Sequence, residues 1–164
     1  MKKSFAYVSS MILLVSVFVL SAYKPQNAGP SASGEGSLDL PYMNGIAQHF
    51  SFHANTAADG TISGTFESRS RGQGTRVHGN ITCMNILPDG KTAILQGIVT
   101  QTIENDFGIE VGSLIYFKVR DNGEGSNADP DQFSDYFAPT ANFNCTNLNV
   151  ALNPISGGNI QVRP

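Results

Sequence analysis

The chain has 164 residues, of which 40% are hydrophobic and 14% are charged, and its formal net charge is −3 at pH 7. That length suits one domain that buries roughly two-thirds of the surface of its unfolded chain. The acidic balance argues against a nucleic-acid partner, because general nucleic-acid binders neutralise phosphates with an excess of Lys and Arg.

The N-terminus has the order of a secretory signal peptide. Lys2 and Lys3 precede an apolar run over 11–20, and small residues ending at Ala22 follow it. This order predicts a signal peptide over 1–22 and export of the protein, either to the periplasm or out of the cell. The alternative is a membrane anchor, but the apolar segment is shorter than the roughly 20 residues that a spanning helix needs. We therefore expect no stable membrane span after cleavage.

The segment after the predicted signal peptide, residues 23–44, is rich in Pro, Gly, Ser, Asn and Ala. Such a composition buries too little apolar surface to offset the entropy of ordering the chain. We predict a flexible lead-in over 23–44 and one folded domain over 45–164.

From residue 50 onwards, apolar residues alternate with polar ones, which is the period of half-buried strands. The runs are bounded by Gly, Pro, Asn and Asp, as strands commonly are. The predicted strands lie at 50–54, 61–66, 75–83, 92–100, 112–119 and 159–162.

Two short turn motifs separate successive strands of this pattern. Asp59 and Gly60 form one, and Asp89 and Gly90, after a proline, form the other. Both supply the positive φ that tight hairpins need, and glycines inside the strands suit the bulges and corners of a curved sheet. The sequence predicts an all-β fold, a single antiparallel β-barrel or β-sandwich domain of about 7–8 strands.

Cys83 and Cys145 are the two cysteines of the chain. An even number of cysteines in an exported protein indicates a disulfide. Two buried free thiols and a metal-binding pair are the alternatives, although two ligands alone do not make a zinc site.

Oxygen-bearing side chains are most concentrated directly after the predicted strand 112–119, in residues 121–135, which we call the acidic segment. Ca²⁺ takes several oxygen ligands and tolerates irregular geometry, and four residues of this segment fit the start of a calcium-loop spacing. Gln132 then stands where such a loop needs Gly, and Ala138 where it needs Glu. Binding of Ca²⁺, the one cofactor that the pattern suggests, is therefore an alternative hypothesis. Its candidate ligands are Asn127, Asp129, Asp131 and Asp135.

Two other interpretations of the acidic segment stay open. In the first, Asn122 and Gly123 make a turn and the rest is a solvated connection. In the second, Asp121 and Glu124 act as acid and base in a hydrolase. No Ser or Cys nucleophile stands in a recognisable motif, so we expect no enzymatic activity.

Histidine and arginine offer two weaker candidate sites. His49 and His53 on one strand would lie about 13 Å apart, too far to share one zinc ion. Arg69, Arg71 and Arg76 crowd one turn and could hold an anionic group, although a solvated hairpin tip explains them as well.

Four segments carry a resemblance to a known group. They are FSFHA at 50–54, GNITCM at 79–84, FKVRDNGEG at 117–125 and GGNIQV at 157–162. Together they resemble small exported bacterial β domains of unknown function, the post-COAP-1 type, over residues 49–162. The resemblance implies an antiparallel β domain outside the cytoplasm, with no established catalytic residues.

These observations favour an exported, non-catalytic β domain with a structural role or a role in binding a cell-surface or extracellular ligand. A calcium-stabilised binding module is the main alternative, and a hydrolase is the second.

Overall fold

The structure is a computed structural model, and it describes residues 29–39, 47–70, 74–103, 108–125, 127–137 and 144–164. The predicted signal peptide, residues 23–28 and 40–44 of the predicted lead-in, and Arg71 lie outside the described residues. Within the described ranges, no helix has the length and apolar character needed to cross a membrane.

Within the described residues, nine antiparallel strands, slightly more than the 7–8 predicted, form one curled sheet with the shape of a half-barrel. The predicted all-β antiparallel class is confirmed, and the structure has one sheet rather than the two layers of a sandwich. The strands are β1 (Ser31–Asp39), β2 (Ala47–Thr56), β3 (Ile62–Ser70), β4 (Arg76–Ile86), β5 (Thr92–Ile103), β6 (Leu114–Arg120), β7 (Gln132–Phe133), β8 (Asn153–Pro154) and β9 (Gly157–Arg163).

The order of strands across the sheet is β8-β7-β6-β5-β4-β3-β2-β1-β9. Strands β1 to β8 therefore pair with their neighbours in sequence, and β9 returns to pair with β1. The turns at Gly60 and Gly90 have φ values of +83° and +67°, as their hairpin motifs predict. Two strands form the edges of the sheet: β8, which has two residues, and β9, which has seven.

Strand β1 lies inside the segment predicted to be a flexible lead-in, so that prediction is wrong over 31–39 and the domain begins before residue 45. Its small residues are a packing requirement. A Cβ added at Gly34 would lie 2.8 Å from Cγ1 of Ile160 and 2.9 Å from the ring of Phe52. Glycine in β1 thus allows the core side chains of its two neighbouring strands to approach closely.

The inner face of the sheet holds the main core, which is dominated by aromatic rings. The rings of Phe50 and Phe133 stack with their centroids 4.2 Å apart, and Phe117 and Phe66 are fully buried. The ring of Tyr136 packs edge-on against Phe117 at 5.1 Å. Phe133, within the acidic segment, and Tyr136, directly after it, thus close the core beside β6.

The outer face of β4, β5 and β6 carries a second, smaller core. Ile94 and Tyr116 are buried there against Leu148 of the segment 144–150. Their neighbours Leu95 and Phe117 belong to the main core, so Ile94 and Tyr116 face the opposite side of the sheet. The segment 144–150 therefore covers this half of the outer face.

Two contacts attach the covering segment 144–150 to the sheet. Cys145 is bonded to Cys83 of β4 with an S–S distance of 2.08 Å, which confirms the predicted pairing. Lys118 Nζ donates a hydrogen bond of 2.6 Å to the carbonyl oxygen of Val150. Burial lowers the pKa of Lys118, because the charged amine loses part of its hydration.

Candidate functional site

The acidic segment after β6 lies along the free edge of β9. The Asp131 side chain is only 6% exposed. Its Oδ2 accepts a hydrogen bond of 2.7 Å from the backbone N–H of Ile160, and its Oδ1 accepts one of 2.8 Å from the N–H of Asn122. The carboxylate thus joins the loop to β9.

Asp121 makes a second connection of the same kind. Its Oδ2 accepts a hydrogen bond of 3.0 Å from the N–H of Val162, and its Oδ1 accepts one of 2.8 Å from Gly123. Ile160 and Val162 alternate along β9, and their N–H groups point away from β1. Two carboxylates therefore satisfy N–H groups that a further strand would otherwise take, which protects an edge that is open to strand addition.

Glu124 also contacts β9, but through side chains. Its Oε1 accepts hydrogen bonds from Asn159 Nδ2 at 3.0 Å and from Gln161 Nε2 at 3.5 Å. Asp121, Glu124 and Asp131 are therefore spread along β9 and do not converge on one point. The acid and base roles considered for Asp121 and Glu124 stay a prediction, and both side chains have these structural contacts.

The four candidate calcium ligands have different surroundings. Asn127 and Asp129 are exposed, whereas Asp131 faces β9. Asp135 has a positive φ of 73°, and its Oδ1 accepts a hydrogen bond of 2.6 Å from Tyr136 N–H. Among the described residues, no three His, Cys, Asp or Glu side chains form a group that could hold a metal ion. The calcium site stays a prediction, and binding would compete with both backbone hydrogen bonds of Asp131.

The other half of the outer face belongs to β9, β1, β2 and β3, and none of the described segments covers it. It contains two adjoining depressions. One has a volume of about 450 Å³ and the other about 410 Å³, and both are lined by Glu35 and Ser51. We call the two together the Ser51 groove. The polar residues of the first depression are Ser33, Glu35, Ser51, His53, Thr65, Asn159 and Gln161. Those of the second are Glu35, Ser37, His49, Ser51, Glu67 and Arg69.

Strand register explains why the groove forms around Ser51. Ser51 pairs with Glu35 on β1 and with Glu67 on β3. Neighbouring strands lie about 4.8 Å apart, so the Cα atoms of the two glutamates are separated by about 10 Å. His49 and His53 lie two residues to either side on the same face of β2. A small serine is thus surrounded by four longer polar side chains.

Several of these side chains are held by hydrogen bonds across strands. His49 Nδ1 lies 3.0 Å from Ser37 Oγ, and His53 Nδ1 lies 3.2 Å from Thr65 Oγ1. Glu67 forms an ion pair of 2.9 Å with Arg76. The side-chain hydrogen bond and the charge of Glu67 raise the pKa of Arg76, so this arginine stays charged. The groove walls are therefore partly ordered by contacts that do not involve a ligand.

Sequence reasoning did not find this groove. The signal available was the alternation of Ser33, Glu35 and Ser37 in β1, which has the period of a strand with one polar face. The glycines between them favoured the interpretation as a lead-in. Placing β1 between β2 and β9 also requires a pairing of the two ends of the domain, which local pattern does not specify.

No protein-family model, curated protein or solved structure matches the chain. The resemblance to exported β domains of the post-COAP-1 type therefore stays a prediction.

Proposed function

We propose that this chain is an exported, non-catalytic β domain that binds an extracellular or cell-surface saccharide in the Ser51 groove. The observation that carries the proposal is the contrast between the two halves of the outer face. One half is closed by the segment 144–150, whereas the other half presents the groove. Ligands usually bind at concave surfaces, where polar groups fix their orientation.

The groove offers the functional groups that recognise sugar hydroxyls. Hydroxyl groups come from Ser33, Ser51 and Thr65, and amides come from Asn159 and Gln161. Each of these groups both donates and accepts hydrogen bonds, as a sugar hydroxyl does.

The aromatic residues that border the groove, Phe50 and Phe52, are 4% and 5% exposed. They therefore provide no stacking platform of the kind that strengthens many saccharide sites. Affinity would come from hydrogen bonds and charge, which contribute little net free energy in an open, hydrated site. We accordingly expect weak binding that increases with the number of sugar units in contact.

Two features support export and a role outside the cytoplasm. The first is the Cys83–Cys145 pair, because disulfides persist in oxidising compartments. The second is the sequence pattern of the N-terminus, which predicts cleavage after Ala22. The non-catalytic part of the proposal is supported by the acidic residues Asp121, Glu124 and Asp131, whose carboxylates have structural partners on β9.

Chemical-shift mapping of the ¹⁵N-labelled protein tests the proposal. Titration with soluble hexasaccharides of glucose, N-acetylglucosamine and glucosamine should shift the amides of Ser33, Glu35, Ser51 and His53. The amides of Ile94 and Tyr116, on the covered half of the outer face, serve as internal controls and should not move. If all three sugars leave the groove amides unchanged, the saccharide proposal is wrong.

A further inference from the structure

We infer that the first depression of the Ser51 groove takes a saccharide that bears an ammonium group, with Glu35 as its counter-charge. This inference rests on the proposed function and names the class of ligand. An unacetylated amino sugar has the required chemistry, since it combines ring hydroxyls with a positively charged amine.

Glu35 lies at the centre of the groove and is available to pair with a cationic ligand. Glu35 is exposed and lines both depressions, so it stands at the middle of the groove. Its two cross-strand neighbours, Ser51 and Asn159, are neutral. Among the described residues its carboxylate has no hydrogen bond or ion pair. A ligand amine would therefore meet a carboxylate that has not been neutralised by the protein.

The remaining charges decide which end of the groove takes the amine. Glu67 is neutralised by Arg76, and among the residues that the structure describes no Lys or Arg lines the first depression. Arg69 lines only the second.

At the rim of the first depression, Glu124 accepts hydrogen bonds from Asn159 and Gln161. Arg163 Nη2 donates a hydrogen bond of 2.7 Å to Gln161. With Glu35 and Glu124 against Arg163, the fixed charge around the depression is net negative, so it attracts a cation and repels an anion.

The neutral groups of the first depression favour a sugar over a lysine-containing peptide. Ser33, Ser51, Thr65, Asn159 and Gln161 provide hydroxyl and amide groups around the carboxylate. Phe52, the aromatic residue that lines this depression, is 5% exposed, so a large apolar peptide side chain would find little ring surface to pack against. A sugar ring can direct several hydroxyl groups to these partners while its ammonium group donates to Glu35.

Calorimetry on the purified protein tests this inference with three probes. They are the hexamer of glucosamine, the hexamer of N-acetylglucosamine, and hexalysine. The glucosamine hexamer should bind about threefold more tightly than the acetylated one, since an ion pair to an exposed carboxylate is worth about that factor. Hexalysine should bind more weakly than the glucosamine hexamer.

Two isosteric variants separate the role of Glu35 from general electrostatics. Glu35→Gln should reduce the affinity for the glucosamine hexamer about threefold and leave the affinity for the acetylated hexamer unchanged. Glu110→Gln removes an exposed carboxylate that does not line the groove, and it should change neither affinity.

The outcomes distinguish this inference from the proposed function. Equal binding of the acetylated and unacetylated hexamers, unaffected by Glu35→Gln, would overturn the inference while saccharide binding stands. Stronger binding of hexalysine would also overturn it, in favour of a peptide ligand. Failure of both sugars to bind would overturn the inference, and the proposed function falls with it if the glucose hexamer also leaves the groove amides unchanged.

Discussion

The carboxylate of Asp131 accepts a hydrogen bond of 2.7 Å from the backbone N–H of Ile160, which lies 29 residues further along the chain. This contact places the middle of the acidic segment against the edge of β9. With the matching contact between Asp121 and Val162, it makes the segment an integral part of the sheet. Two of the carboxylates in the acidic segment are therefore explained by their role as acceptors for the N–H groups at the edge of β9.

Asp131→Ala should lower the free energy of unfolding by about 3 kcal/mol, because the buried N–H of Ile160 and the partly buried N–H of Asn122 lose a charged acceptor. Urea denaturation at pH 7 measures this effect. Asp129→Ala is the matched control, since Asp129 is exposed, and it should change the stability by less than about 0.5 kcal/mol. Equal effects of the two substitutions would contradict the structural role of Asp131.

The same two variants examine the calcium hypothesis. If Asp131 only holds the acidic segment to the edge of β9, Asp131→Ala should destabilise the protein equally in EDTA and in millimolar Ca²⁺. A rise in melting temperature with Ca²⁺ that Asp129→Ala abolishes would instead support a calcium-stabilised module. Measurement of melting curves in both conditions decides between these results.

Because the pKa of the Tyr136 hydroxyl is raised, we expect the protein to lose stability in alkali. Burial raises this pKa well above the ordinary value, and the charges of Asp135 and Glu67 add to the effect. The folded protein therefore keeps the phenol proton more firmly than the unfolded chain. The stability from this group is complete below a pH of about 10 and falls as the pH rises towards the folded-state pKa.

The variant that isolates this titration is Tyr136→Phe. At pH 7 it should cost about 1 kcal/mol, because the hydroxyl group donates to the carbonyl oxygen of Glu67. Between pH 10 and the folded-state pKa, unfolding curves should show a shallower decline for the variant than for the unmodified protein. Parallel declines would show that Tyr136 does not control the alkaline transition.

Reduction of the disulfide should release the covering segment 144–150. The bond links residues separated by 62 positions, and closing such a loop stabilises a fold by about 4 kcal/mol in the chain-entropy model. Replacing Cys83 and Cys145 together by Ala should lower the stability by about that amount. Hydrogen exchange should then increase first at Leu148 and around Ile94, and unchanged exchange there would contradict the covering role.

At Gly97, in the centre of the sheet, there is no room for a side chain. A Cβ at this position would lie 2.5 Å from Cε1 of Phe66 and 2.8 Å from the carbonyl oxygen of Asn80. Gly97→Ala should therefore destabilise the protein by about 2 kcal/mol. Gly157→Ala meets no atom within 4 Å, and in denaturation experiments it should be close to neutral. A neutral Gly97→Ala would mean that the Phe66 ring can move aside.

The sequence was sufficient to predict the elements whose signals are local. Strands β2 to β6, the turns at Gly60 and Gly90, and the cysteine pair follow from alternation, turn chemistry and an even cysteine count. Strand β1 escaped prediction because its glycines, which accommodate Phe52 and Ile160, also characterise flexible segments.

The contacts that define the candidate site are non-local. Nothing near Asp131 in the sequence indicates Ile160 as its partner, and the groove exists only because β1 joins β2 to β9. The register of the strands decides which residues face each other. A register shift of one residue would move the side chains of Glu35 and Ser51 from the outer face to the core. The chemistry of the acidic segment was therefore recognised, but its structural partner was not.

The central claim, that the Ser51 groove binds saccharide, is tested most directly by filling the groove. Ser51→Trp places a large ring at its floor, and Ser63→Trp places the same ring on β3, at an exposed position outside the groove. Calorimetric titration of both folded variants with the glucosamine hexamer should show binding lost in Ser51→Trp and retained in Ser63→Trp. Unchanged binding to Ser51→Trp would contradict the claim.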